Sequence, residues 1–232
     1  MSPAAPTATM SRPVRILAAA SLVATAVLSA VSVLLQPEFA ADPAARLAGI
    51  AAAGTPATVS MMTFALSQLP FLVAVVAIGL LVRPRAPRLA WTGGVLACLG
   101  GFGHTVFGGI ALAYLALSGD AAHRPTLGAV VTRIEAGPAQ LFMAMGLLGT
   151  VLGLLLLGVA LFRSRAVPRW VPVALWAFLV VEFAGSGISA WSAPASGLLF
   201  VASFGGVALE LVRPASQRGV PGAALAPRPV VG

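Results

Sequence analysis

Lysine is missing altogether from this 232-residue chain, and charge of either sign is scarce. Fourteen arginines and six acidic residues make up 9% of the sequence, against roughly 25% charged residues in a soluble domain. A surface that poor in charge excludes a water-soluble globule. Cysteine occurs once, at Cys98, which excludes an intramolecular disulfide and any Cys-based metal motif. There are two histidines, His104 and His123. His123 falls in a loop, so no His pair can reach across a helical bundle to hold a metal or a haem. HExxH, GxSxG, CxxC and P-loop patterns do not occur. The glycine cluster at 100–103 lies inside an apolar run and follows no strand, so it does not read as a phosphate loop. No cofactor is expected.

What the chain has in abundance is apolar length. Hydrophobic residues make up 59% of it, and the mean hydropathy is +1.00. Apolar runs of about 20 residues recur, each long enough to cross about 30 Å of hydrocarbon. They predict helices over Ile16–Leu35, Ala57–Val82, Leu89–Leu117, Ala139–Phe162, Trp170–Ala190 and Pro194–Val212. The first follows "SRPVR" and is longer than a signal-peptide core of about 7–15 residues, so it reads as a retained helix. The expected fold is all-α, an integral membrane bundle of six transmembrane helices. The domain would span residues 13–213, between a disordered N-terminus (1–12) and a disordered tail (214–232). Abundant Ala, Gly, Pro and Arg point to a GC-rich bacterial genome.

The arginines set the orientation. Eleven of them (12, 15, 83, 85, 88, 163, 165, 169, 213, 218 and 228) fall at alternate ends of the runs and so on one side of the bundle. Arg46, Arg124 and Arg133 fall on the other, with Glu38, Asp42, Asp120 and Glu135. The positive-inside rule then puts both termini in the cytoplasm of a bacterial plasma membrane. Trp91 and Trp170 mark the inner interface and Trp191 the outer one. The pI of 11.7 reflects these anchors, so lipid headgroups are the expected partner and nucleic acid is not. A second copy or another membrane protein is a further candidate partner.

The longer outer loops carry signals of their own. "DPAARLAGIAAAGTPA" offers Asp42 as a helix N-cap, Pro43 at the first helical position and Gly54 as a stop. Thr55-Pro56 restarts a helix by the same chemistry. Leu127, Val130, Val131 and Ile134 share one helical face. Both loops predict short amphipathic helices on the outer surface. The echo between "LVRPRAPR" (81–88) and "LFRSRAVPR" (161–169) admits two readings, a duplicated hairpin or the common need for Arg anchors and a Pro stop.

Few polar side chains fall inside the runs. Gln68 lies 15 residues from Arg83, His104 lies 16 from Arg88, and Glu182 lies 13 from Arg169. At the helical rise that is roughly 20–24 Å above one surface, a single layer on three helices. An ionised acid there costs on the order of 3 kcal/mol. Glu182 should therefore face inward, with His104 as its expected partner, Gln68 nearby, and Ser186 and Ser189 one and two turns further on its own face. Gly93, Ala97, Gly100 or Gly101, His104 and Gly108 would form one close-packing face, answered by Gly149 and Gly153. Pro70 would kink its helix beside the layer.

At "LFRSRAVPRWVPVALW" (161–176) the chain resembles a hairpin of uncharacterised bacterial multi-pass membrane proteins, grouped only as domains of unknown function. "ADPAARLAGI" and the number of apolar runs fit the same layout. The resemblance implies a small six-helix membrane protein and brings no activity or cofactor. The Glu–His–Gln layer admits three readings: a helix lock, a proton relay or ligand contact, or a metal site. The first reading, a structural or accessory membrane component, is the leading one; a small proton-coupled permease is the alternative. An intramembrane enzyme is least supported, because one His and one carboxylate supply no activated nucleophile.

Overall fold

The computed structural model describes residues 10–38, 40–185, 189 and 191–213. The tail expected at 214–232, residues 1–9 of the one expected at 1–12, and Ser186 lie outside them, while Arg12 already opens the first helix. Among the described residues there are eight helices and no strand: α1 (Arg12–Leu34), α2 (Pro43–Ala53), α3 (Thr55–Val82), α4 (Pro87–Ser118), α5 (Arg124–Ala136), α6 (Ala139–Ser164), α7 (Trp170–Gly185) and α8 (Ser192–Val212). Five of these, α1, α3, α4, α6 and α8, are long and apolar enough to cross a membrane. The sixth predicted span is the exception. Of the predicted Trp170–Ala190, the described helix covers Trp170–Gly185, 16 residues.

The long helices pack in a closed ring, each against the next: α1, α3, α4, α6, α7, α8 and back to α1. Arg15 near the start of α1 donates through Nε to the carbonyl of Leu211 at 2.5 Å and through a terminal nitrogen to that of Arg213 at 2.7 Å. The first and last long helices are therefore antiparallel, like every other neighbouring pair. Arg85 donates to the carbonyl of Ser164, so the turns after α3 and α6 meet at the same end. This is the arginine-rich end of the ring.

Lipid supplies no hydrophobic drive between helices, so close contact must come from shape. The α4–α6 seam shows this. A Cβ on Gly149 would stand 2.6 Å from the nitrogen of Gly100, and one on Gly153 would stand 2.6 Å from the Cα of Ala97. Gly101 and Gly108 face α3 instead, against Phe71 and Ala65. The single small-residue face predicted for α4 is thus two faces, because α4 is wedged between two neighbours. Outside the ring, large apolar side chains stand free: Leu69 is 74% exposed and Leu198 is 72% exposed. That surface suits hydrocarbon and no aqueous phase.

Toward the arginine-rich end the ring is filled by apolar side chains. Ile78, Leu157, Leu161, Leu175 and Phe204 are buried in one cluster there. A second, smaller core at the other end joins Leu47, Ile50, Met61, Tyr114 and Val131. It seats α2 and α5 on the ends of α3 and α4. α2 forms as its caps dictate: Asp42 accepts from the backbone nitrogen of Ala45 at 2.7 Å, and Gly54 ends the helix at φ 57°. α3 departs from expectation, because Thr55 is already helical and Gly54 stands as its N-cap without a side-chain bond. Pro70 lies inside α3, which is continuous over 28 residues.

Candidate functional site

Where the apolar filling stops, the ring encloses a cavity of about 110 Å³ lined by residues of all six long helices. α1 contributes Thr25 and Ser29, α3 Ser67 and Gln68, α4 His104, α6 Thr150, α7 Glu182 and α8 Ser196. Ser29 and Val33 near the end of α1, Glu182 and Phe183 near the end of α7, and Ser196 near the start of α8 place it toward the arginine-poor end. One turn further down, Val75, Leu157, Leu175 and Phe204 close it off. Its upper wall is half-buried at Ser29, Val33, His104 and Glu182.

Gln68, His104 and Glu182, predicted to share a layer, line this one cavity. They do not bond to one another: the expected Glu182–His104 hydrogen bond is absent among the described residues, and each binds a neighbouring helix instead. Glu182 Oε2 stands 2.5 Å from Ser196 Oγ, joining α7 to α8. His104 Nδ1 stands 3.4 Å from Thr150 Oγ1, joining α4 to α6. The ring is wide enough to hold α4 and α7 apart, since α6 lies between them. Gln68 spends both amide hydrogens on its own helix, on the Phe64 carbonyl at 3.1 Å and Ser67 Oγ at 3.0 Å. Ser186 lies outside the described residues. Ser189 is beyond the end of α7 and accepts from the Trp191 nitrogen, so it does not extend a face of that helix.

Ser196 carries one hydroxyl proton and has two acceptors within reach, Glu182 Oε2 and the Ala193 carbonyl at 3.1 Å. With an ionised carboxylate, Ser196 donates to Glu182. With a neutral carboxyl, Glu182 donates to Ser196, which donates on to Ala193. The same heavy atoms therefore satisfy both protonation states. Glu182 Oε1 and the Gln68 amide oxygen accept no hydrogen bond among the described residues. Thr25 Oγ1 is buried and has no partner at all. The cavity wall thus holds hydrogen-bonding capacity that the protein itself leaves unspent.

Sequence reasoning missed α1, Thr150 and Ser196. A signal for α1 was present: Ser21, Thr25, Ser29 and Ser32 recur at helical spacing, and three of them are buried. Thr150 and Ser196 have none, since a lone hydroxyl in an apolar run is common.

A second polar cluster sits at the arginine-poor end. Arg46 of α2 forms an ion pair with Glu135 of α5. Tyr114 of α4 donates to the same carboxylate at 3.1 Å, and Arg46 Nε donates to the Ala40 carbonyl at 3.0 Å. These groups satisfy one another and fix α2 and α5 to the ring. In the exposed loop beyond α4, His123 Nδ1 donates to Asp120 at 2.9 Å, and that hydrogen bond holds the Asp120 carboxyl below its ordinary range.

No curated protein and no solved structure matches the chain. Its sequence does match one family over residues 17–213, the ring from the second turn of α1 onward with its two short helices. The chain belongs to the family described as Domain of unknown function (DUF4386).

Proposed function

We propose that this is a bacterial plasma-membrane protein of permease type, whose central chamber takes a small polar solute and whose Glu182 exchanges a proton there. The observation that carries the reading is the unspent polar wall. A helix lock bonds its groups to each other, because an unmet polar group in hydrocarbon costs free energy. Here the Gln68 amide oxygen and Glu182 Oε1 keep free capacity in a shared space. The apolar filling below and the half-buried wall above suit a carrier closed on the arginine side.

In this reading α7 makes a sixth crossing, since 16 residues rise about 24 Å and need little more to span the bilayer. Both termini are cytoplasmic by the arginine bias, and α2 and α5 lie as amphipathic helices in the outer interface. The second reading is a membrane scaffold. It is favoured by the α4–α6 seam and by polar bonds that tie only adjacent helices.

Labelling separates the two. In a Cys98→Ala chain, Ser29→Cys in the chamber and Ala74→Cys in the apolar filling are exposed to a small water-soluble thiol reagent. The permease reading expects rapid reaction at position 29, from the outer side, and none at position 74. Equal inertness at both positions would leave the scaffold.

A further inference from the structure

The acidic side chain of the chamber is Glu182 on α7, and no permanent cation accompanies it. No arginine lines the chamber, and the chain has no lysine. The other titratable group facing it is His104 on α4, whose Nδ1 is engaged with Thr150. α1, α3, α6 and α8 present only hydroxyls, an amide, apolar groups and rings. Glu182 therefore has no fixed cation beside it, and a charged carboxylate at this depth requires one.

Much of the apolar wall is aromatic. Five of the chain's eleven phenylalanines line the chamber: Phe64, Phe71, Phe178, Phe183 and Phe200. Phe178 and Phe200 stack with centroids 4.5 Å apart, forming one continuous wall. Aromatic rings attract cations within about 6 Å of their centroids, most strongly where water is excluded. A carboxylate with one unbonded oxygen, beside the free amide oxygen of Gln68 and set among rings, is unsuited to an anion and leaves a neutral solute's neighbour uncompensated.

Resting on the chamber reading above, we infer that the occupant is a small monovalent organic cation of the alkylammonium class. Its ammonium group lies on Glu182, with the Gln68 amide oxygen as a further acceptor, and its alkyl part lies against the rings. The volume of about 110 Å³ fits a molecule of few heavy atoms, since an engineered cavity of about 150 Å³ takes benzene. Binding to the neutral form of Glu182 releases one proton, with no bond formed to the cation.

Three probes of four heavy atoms and one branched shape test this: isopropylammonium, isopropanol and acetate. Each is titrated calorimetrically into the full chain in lipid nanodiscs, with empty nanodiscs as the blank. Isopropylammonium should bind with release of a proton, and Glu182→Gln should weaken it roughly tenfold to a hundredfold. Gln68→Leu should weaken it less, which guards against misfolding of the first variant. Equal or tighter binding of isopropanol or acetate overturns the cation while leaving the chamber. No binding by any of the three overturns both.

Discussion

At Glu182 and Ser196 one short contact serves two protonation states, and the variants there should differ in kind. Glu182→Gln supplies an amide that donates to Ser196 as the neutral carboxyl does. It should change stability by less than about 1 kcal/mol in a detergent melt. Ser196→Ala leaves the carboxyl without its partner, and should cost about 1–3 kcal/mol in the same measurement. Thr25 tests the unspent wall from the other direction. Thr25→Val keeps the shape and removes a buried orphan hydroxyl, so the empty protein should gain about 1 kcal/mol. An unchanged melting midpoint would mean that the hydroxyl is already satisfied. In the exposed loop, the Asp120 carboxyl is held low by His123. Its folded value lies below its unfolded one, so its contribution is present above the unfolded pKa and fades as pH falls through the folded one. An NMR titration of Asp120 should shift upward in His123→Ala.

Among the elements, α4 depends most on what it lacks. A Cβ at Gly153 would meet Ala97 Cα at 2.6 Å and Ala97 Cβ at 2.8 Å. Gly153→Leu should therefore part α4 from α6 and cost about 1–3 kcal/mol or more. Nothing stands within 4 Å of a Cβ at Gly94, so Gly94→Ala should be neutral or stabilising by up to about 1 kcal/mol. Equal melts for the two variants would remove the seam from the account. α5 is held differently, by Tyr114 and Arg46 on Glu135. Tyr114→Phe should speed amide exchange in α5 with little effect on α1 or α8. The caps of α2 were legible in the sequence because Asp42, Pro43 and Gly54 act locally. The pairing of Arg46 with Glu135, 89 residues apart, was not, since charge patterning along a chain does not say which loops meet.

For the whole molecule, the helices and their alternation were readable because lipid demands long apolar helices and arginine marks their ends. The ring closure was not, because each helix is apolar nearly all round and periodicity then has no face to report. This is also why the polar layer was legible as a depth and not as a geometry. Counting residues from Arg83, Arg88 and Arg169 places Gln68, His104 and Glu182 at one height. It cannot say that α6 stands between α4 and α7, and so it joined His104 to Glu182 directly. In the ring they line one chamber and bond to different neighbouring helices, and that arrangement turns a candidate lock into a candidate binding site. The central claim is that Glu182 exchanges its proton with water through this chamber. Infrared difference spectroscopy of the chain in nanodiscs, with Glu182→Gln as the reference, reads the carboxyl stretch of that one residue. The account predicts a Glu182 band that appears and vanishes reversibly as the bulk pH is cycled. A band that stays fixed through the cycle would contradict it, leaving Glu182 and Ser196 as a sealed helix lock.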